Sequence, residues 1–341
     1  MNKNIIILGI ESSCDDTSAA IISNQYMLSN IISTQDVHRE YGGVVPELAS
    51  REHQKNIIPV VDLAIKRAKI KKEDISAIAF TKGPGLLGSL IVGSSFAKSF
   101  ALGMNIPLIS VNHMKGHVLS HFIKTKGEKK EMPNFPFLCL TVSGGHTQIV
   151  LVKSISDMIV IGETLDDAAG EAFDKSAKIM GLPYPGGPLI DKYARTGDKT
   201  RFIFGKHKVK ELNFSYSGIK TSILRVIQKG KLEDPNFINK NLNDLCASIQ
   251  HCIVDILVNK ILKASEDLEI EDIAIAGGVS ANSYLRERMM NLRKKGKNIF
   301  IPRFEYCTDN AAMIAVSGYY QYLNNDFSNH NVIPQARFPI N

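Results

Sequence analysis

The sequence predicts a mixed α/β fold in two domains, and three observations predict it. Short apolar runs of strand length alternate with longer stretches whose apolar residues recur at helical spacing. A strand, a polar turn and a second strand occur twice, once near the start of each half: residues 5–10 and 18–23 flank the turn Glu11 to Thr17, and residues 137–142 and 148–152 flank Ser143-Gly144-Gly145-His146-Thr147. We read this as an internal duplication, without the regular spacing of a solenoid. Finally, 341 residues exceed one small core and fit two domains.

In chain order, Ile5 to Ile10 is a buried strand. Glu11 ends the run where an export signal would carry a small-residue cleavage site, so the expected location is the cytosol. Pro46 opens a helix over 46–70, with Leu48, Ala49, His53, Ile57, Val60, Val61 and Ala64 on its apolar face. Residues 74–80 form a strand, 83–103 a Gly-rich turn and apolar helix, and 107–111 another strand. The charged, Pro-broken stretch 124–136 is an exposed loop near a domain boundary. Residues 241–265 form a long amphipathic helix. A strand at 273–276 runs through Gly277-Gly278 into a helix from Asn282, and 310–323 is the last helix. The polar tail beyond Asn324 reads as an extended surface segment.

Hydrophobic residues make up 44% of the chain and charged residues 22%, near the globular average. No unbroken apolar run approaches the roughly 20 residues of a membrane helix. Five scattered cysteines without a C-x-x-C pair argue against a disulfide framework and against finger-type zinc sites. The net charge of +7 favours an acidic partner such as nucleic acid, although general lysine richness produces the same balance. Basic runs at 66–72, 206–210 and 293–297 carry few aromatics, so they offer no base-stacking platform.

His113-x-x-x-His117 follows a strand. That spacing sets two imidazoles one helical turn apart, able to share an ion, or leaves two unrelated surface histidines. No Glu follows the first histidine as in H-E-x-x-H. Asp309 precedes the last helix, as an N-cap or as a third ligand. Two histidines and a carboxylate would leave coordination positions open. The turns Glu11–Thr17 and Ser143–Thr147, and the segment Gly277 to Asn282, could bring backbone N–H groups to a phosphate, or be tight turns. Asp15 and Asp16 could bind a cation or take a proton. Tyr184-Pro185-Gly186-Gly187-Pro188 is a rigid loop or the lining of a nucleotide site. Gly83 to Ser89 reads as close helix packing. Acidic residues at 166–174 suit a helix start, at a density above what capping requires.

Together these segments resemble one family, the universal tRNA adenosine threonylcarbamoyltransferases, formerly called glycoprotein endopeptidases. The resemblance rests on LGIESSCDDT (8–17), YGGVVPELASREH (41–53), GPGLLGSL (83–90), NHMKGH (112–117) and VSGGHT (142–147). It continues through DDAAGEAFDK (166–175), YPGGP (184–188), FSYSGIKT (214–221), GGVSAN (277–282) and CTDN (307–310). Asp16 stands where Glu is common in the family, Ser12 where Thr is frequent and Ala311 where Gly is common.

The resemblance implies two ribonuclease-H-like lobes of the actin, Hsp70 and sugar-kinase superfold around a nucleotide cleft. The first lobe would take residues 1–120 and the helix at about 308–325, the second 121–307, and 326–341 would be an extended tail. It implies His113, His117 and Asp309 as ligands of a divalent metal, iron first and zinc second. Thr141, Val142, Ser143, Gly144, Gly145, Asp174, Gly187, Asp191 and Asn282 would contact the nucleotide substrate. The implied reaction moves threonylcarbamoyl from threonylcarbamoyl-AMP to the N6 amine of the adenosine 3′ of the anticodon, with tRNA as acceptor. For the base that takes the amine proton we read Asp15, a carboxylate beside the expected cleft. The implied partners are an inactive paralogous subunit and a small P-loop ATPase, with no membrane. The rival readings are a metalloprotease, a kinase of the actin-like superfold and a non-catalytic scaffold subunit.

Overall fold

The structure, a computed structural model, describes residues 4–129, 131–205 and 209–340. Residues 206–208 of one basic run therefore lie outside the described residues. The chain divides into two compact units, Met1–Met132 with Arg303–Asn341, and Pro133–Pro302.

The first unit holds β1 (Ile6–Glu11), β2 (Asp16–Ser23), β3 (Tyr26–Thr34), α1 (His38–Tyr41), α2 (Pro46–Ala68), β4 (Ala77–Gly83), α3 (Leu87–Met104), β5 (Leu108–Asn112) and α4 (His113–Leu119). The second holds β6 (Phe137–Val142), β7 (Thr147–Val152), β8 (Met158–Glu163), α5 (Ala169–Ile179), α6 (Gly186–Ala194), α7 (Ser217–Glu233), α8 (Phe237–Asp267), β9 (Asp272–Ala276), α9 (Ser283–Asn291) and β10 (Asn298–Phe300). The last helix, α10 (Ala311–Leu323), belongs to the first unit.

Each unit is built on one five-stranded sheet, and the two sheets have the same topology. The orders are β3-β2-β1-β4-β5 and β8-β7-β6-β9-β10. In each, the first three strands in sequence pair antiparallel and the last two pair parallel. The duplicated strand–turn–strand units are the leading hairpins of these sheets. Glu11 pairs with Ser18 at the tip of one, and Val142 with Thr147 at the tip of the other. Periodicity missed β3, α1, β8, α6, α7 and β10. In β3 the cause is its edge position: Tyr26, Leu28 and Ile32 are exposed, so no clean apolar alternation survives.

The first unit extends past residue 120 and starts again before 308. Lys124 pairs with the start of β3, accepting from Met27 N–H at 2.9 Å and donating to the Gln25 carbonyl at 2.9 Å. Arg303 pairs with Glu128 at 3.0 Å. On the first sheet, α2 buries Ala49, His53, Ile57, Val60, Val61 and Ala64, positions recurring at helical spacing. Small residues bring α10 close to the same sheet: a Cβ at Gly9 would overlap the Ala311 carbonyl, and one at Gly318 the Ala79 methyl. That approach sets the height at which Asp309 enters the site. Two helices, α3 and α8, are long and apolar enough by length and composition to cross a membrane, although their apolar runs are interrupted. Most of the apolar window of α8 is buried in the second unit, where Leu245, Ile249, Ile253 and Leu257 join the core.

Candidate metal centre

Helix α4 begins at the first histidine. Asn112 caps it, its Oδ1 accepting from Met114 N–H at 2.9 Å and Lys115 N–H at 3.1 Å. The four-residue spacing then stacks His113 and His117 on one face, their ring centroids 4.7 Å apart and their planes at 90°. Both rings are buried.

Asp309 meets them from the start of α10. The N-cap of that helix is Asn310, whose Oδ1 accepts from Met313 N–H at 3.1 Å, so Asp309 is not spent on capping. Its Oδ1 lies 3.3 Å from His113 Nε2 and 3.2 Å from His117 Nε2. One ligand atom from each of the three residues falls within 4.8 Å of the others. Two imidazole nitrogens and one carboxylate oxygen on a common centre suit a divalent ion, and three protein ligands leave positions for substrate.

Sequence reasoning missed Glu11. Its carboxylate is fully buried at the end of β1. One oxygen accepts from Ser13 N–H; the other accepts from Thr81 Oγ1 at 2.6 Å and lies 3.0 Å from His113 Nδ1. A carboxylate behind the far nitrogen of a ligating histidine fixes the ring and directs the opposite lone pair at the ion. The available signal was a charged residue closing an otherwise apolar strand. Burial pushes Glu11 upward, but the His113 imidazole overcomes this and holds it below the usual carboxylate range. Burial opposes charge on His113, yet Asp309 and Glu11 raise it well above the usual imidazole value. Burial also dominates at His117 and lowers it, and its Nδ1 is buried without a partner. The fit to a metal is thus strongest at His113, whose far nitrogen is held.

The turn between β1 and β2 is fastened from several sides. Ser13 Oγ lies 3.1 Å from His113 Nδ1, and the Ser13 carbonyl accepts from Leu86 N–H at 2.7 Å. The Cys14 carbonyl accepts from Ser89 Oγ at 3.1 Å and His53 Nε2 at 2.9 Å, while His53 Nδ1 takes the Thr17 hydroxyl at 2.7 Å. Asp15 sits half-buried at the tip. Asp16 has an Oδ1 that is buried and unpartnered. Burial pushes its carboxyl up to about 7, with Asp309, Asp15 and Glu11 adding to the shift.

In the second unit the predicted residues separate into a surface and its supports. The Ser143–Gly145 turn closes on itself through Ser143 N–H to His146 O at 2.8 Å. A Cβ at Gly144, Gly145 or Gly278 would meet nothing within 4 Å, so these glycines border open space. Asp174 Oδ1 accepts from Gly186 N–H at 2.8 Å and Gly187 N–H at 3.1 Å, joining α5 to α6. Burial raises the Asp174 carboxyl against those two bonds. Asp191 Oδ1 accepts from Ser283 N–H and Oγ at 3.2 and 2.7 Å, joining α6 to α9. Thr141 and Val142 lie inside the sheet, Val142 within the core. Asn282 spends its amide on capping α9, at 2.9 Å to Leu285 N–H, and on Gln250 at 2.7 Å. Gly277 is held at φ +86°, where a Cβ would overlap the Val142 carbonyl. The basic residues Lys66, Arg67, Lys69, Lys71 and Lys72, and Arg293 to Lys295, are solvent-exposed.

Comparison with known proteins bears on the fold and on the family. The structure of full-length HypF in a phosphate- and nucleotide-bound form superposes with a TM-score of 0.61 at 13% identity, over 96% of this chain and 48% of that one. HypF of T. kodakarensis superposes with a TM-score of 0.61 at 11% identity, over 97% and 50%. The chain spans about half the length of those two proteins, and at such identity the likeness concerns fold alone. In sequence it is similar to the tRNA N6-adenosine threonylcarbamoyltransferase of Christiangramia forsetii, 58% identical over 99% of both chains. That of Porphyromonas gingivalis is 57% identical over the full length of both, and that of Thermosipho africanus 48% identical over 93% of this chain and 94% of its own. A family model described as tRNA N6-adenosine threonylcarbamoyltransferase matches residues 26–316. A two-unit α/β enzyme that shares identity at this level over its whole length with tRNA-modifying transferases belongs to the tRNA N6-adenosine threonylcarbamoyltransferase family.

Proposed function

We propose that the chain transfers a threonylcarbamoyl group from threonylcarbamoyl-AMP to the N6 amine of the adenosine 3′ of the anticodon, in tRNAs reading codons that start with A. The observation that carries this is the convergence of His113 Nε2 and His117 Nε2 on Asp309 Oδ1, with Glu11 holding the first ring from behind. In this reading His113, His117 and Asp309 hold one divalent ion. It is iron(II); zinc accepts the same donors. Bound there, the ion supplies Lewis acidity toward the donor.

The chain's own groups supply the rest. The amine nitrogen forms a bond to the carbamoyl carbon, the bond from that carbon to the AMP phosphate oxygen breaks, and AMP leaves with the electron pair. Asp15 takes the amine proton; it is a half-buried carboxylate at a turn fixed by Ser13, Cys14 and His53. The Ser143–Gly145 turn, Asp174, Gly187 and Asp191 hold the AMP portion. Thr141, Val142 and Asn282 support that surface from beneath. The target base stands in an anticodon loop, where bases unstack readily. The enzyme works in the cytoplasm with an inactive paralogous subunit and a small P-loop ATPase.

Nucleoside mass spectrometry tests the reading. The purified chain and its partner proteins are incubated with threonylcarbamoyl-AMP and unmodified tRNA, beside the His113→Ala plus His117→Ala variant. Modified adenosine from the wild type alone supports both reaction and metal site. No product from folded, metal-loaded wild type overturns the transfer. Product from both proteins removes the metal from the mechanism.

A further inference from the structure

The segment after α10, read from sequence as an extended surface segment, is fastened along the first unit. Ser328 N–H donates to the Leu108 carbonyl at 2.8 Å, and Ser328 Oγ accepts from Ser110 N–H at 3.0 Å. Gln335 N–H donates to the Lys82 carbonyl at 2.8 Å, and the Ala336 carbonyl accepts from Gly85 N–H at 3.2 Å. Gly83, at φ +152°, makes this approach possible, since a Cβ there would overlap the Gln335 carbonyl. The Lys82 ammonium lies 4.6 Å from the centre of the Phe338 ring, and Ile340 is 2% exposed.

The segment ends on the residue that starts the metal helix. Asn112 Nδ2 donates to the carbonyls of Phe338 and Pro339, at 3.1 and 2.9 Å. The other end of the same amide caps α4. Because the amide is planar, holding Nδ2 also aims Oδ1 at the two N–H groups of the cap. Helix α4 is seven residues long, too short to hold itself in place without its cap and its packing. Gly85 provides a second route. Its neighbour Leu86 holds the Ser13 carbonyl, and the Ser13 hydroxyl touches His113.

We infer that residues 335–340 are a strap that positions α4, and with it His113 and His117, through the side chain of Asn112. The inference rests on the reading of His113, His117 and Asp309 as metal ligands. The strap touches no reacting atom, and its effect passes through the helix cap.

Two variants separate the strap from the cap. Asn112→Asp keeps the capping oxygen and loses both donors to the strap. The negative charge it adds near the site would by itself favour a cation, so weaker binding cannot come from charge. Ile340→Asp places a carboxylate in the strap's buried seat, at a position remote in sequence from the ligands. Ile333→Ser, at a residue 72% exposed, is the control.

Zinc(II) affinity is measured by competition with a chromophoric chelator, and hydrogen exchange of the Met114 and Lys115 amides is measured in chelator-treated protein. Both strap variants are expected to bind zinc about 10- to 100-fold more weakly, the range for groups that orient a metal ligand. They should also exchange those amides faster, while the control matches wild type. Wild-type affinity and protection in folded Asn112→Asp overturn the strap, whether or not Ile340→Asp folds. Should wild type bind no zinc that His113→Ala plus His117→Ala abolishes, the metal reading fails. The exchange at Met114 and Lys115 then still decides whether the strap holds the helix.

Discussion

The two leading hairpins share strand order and direction but end in opposite ways. The tip of the first is filled. It carries a buried carboxylate, ties Ser13 to an imidazole, and is gripped by Leu86, Ser89 and His53. The tip of the second is open at its glycines. A Cβ at Gly144 or Gly145 would meet nothing within 4 Å, and support comes at the base of the turn, where the Ala169 N–H donates to the Thr147 hydroxyl at 2.8 Å and the Gly170 N–H to the Ser143 carbonyl at 3.2 Å. Under the proposed function, one topology serves two tasks. A site that must hold a cation needs its ligands locked by groups behind them. A site that must admit a phosphate or sugar needs backbone amides without side chains in the way.

The largest expected effect tests the filled tip. Glu11→Gln removes the charge behind His113, and single-turnover transfer should fall about 10- to 100-fold, together with metal affinity. AMP binding, followed by equilibrium dialysis, should stay unchanged. An equal loss of AMP affinity would show that the two tips do not act independently.

The next pair of variants sharpens the contrast between glycines. Gly277→Ala forces a Cβ against the Val142 carbonyl at a positive φ and should cost about 2 kcal/mol or more in denaturant unfolding. Gly144→Val should stay within about 0.5 kcal/mol of wild type, because nothing lies within 4 Å, yet weaken AMP binding about tenfold. A stability loss at Gly144 matching that at Gly277 would mean the second tip is packed rather than open.

A smaller effect has a defined pH dependence. The Asp16 carboxyl titrates at about 7 in the folded chain, against an ordinary value of 3.8. Folding therefore favours its protonated form. That contribution is complete below pH 3.8 and is lost as the pH rises through 7. Asp16→Asn should raise the melting temperature of chelator-treated protein at pH 8 and change it little at pH 4. A gain independent of pH would contradict burial as the cause.

The smallest effect lies in the core of the second unit. The Tyr216 hydroxyl is buried without a partner, and burial raises it well above the usual phenol value. Tyr216→Phe should stabilise the second unit by up to about 1 kcal/mol in thermal unfolding. A clear loss would reveal a partner for the hydroxyl.

Much of the fold is legible in the amino-acid pattern. Strong apolar periods announce β1, β2, α2, α8 and the hairpin of β6 and β7, because a buried face imposes its period on the chain. Edge strand β3, with exposed Tyr26, Leu28 and Ile32, leaves no such mark. Motif order carries the family, and the spacing of His113 and His117 already places both rings on one helical face.

Other features need the folded chain. Asp309 and Asn310 are adjacent and both suited to capping, and only the path into α10 assigns the cap to one and the approach to the histidines to the other. Glu11 becomes a support for His113, 102 residues away in sequence, through burial that no local pattern encodes. Asn282 becomes a cap, and residues 335–340 become a strap on Asn112, through contacts between distant segments. By itself the sequence determined the fold class and the family, because these are written in period and motif order. The tertiary structure alone decided which polar groups are locked together and which stay open, because hydrogen bonding and burial depend on chain segments that meet only after folding.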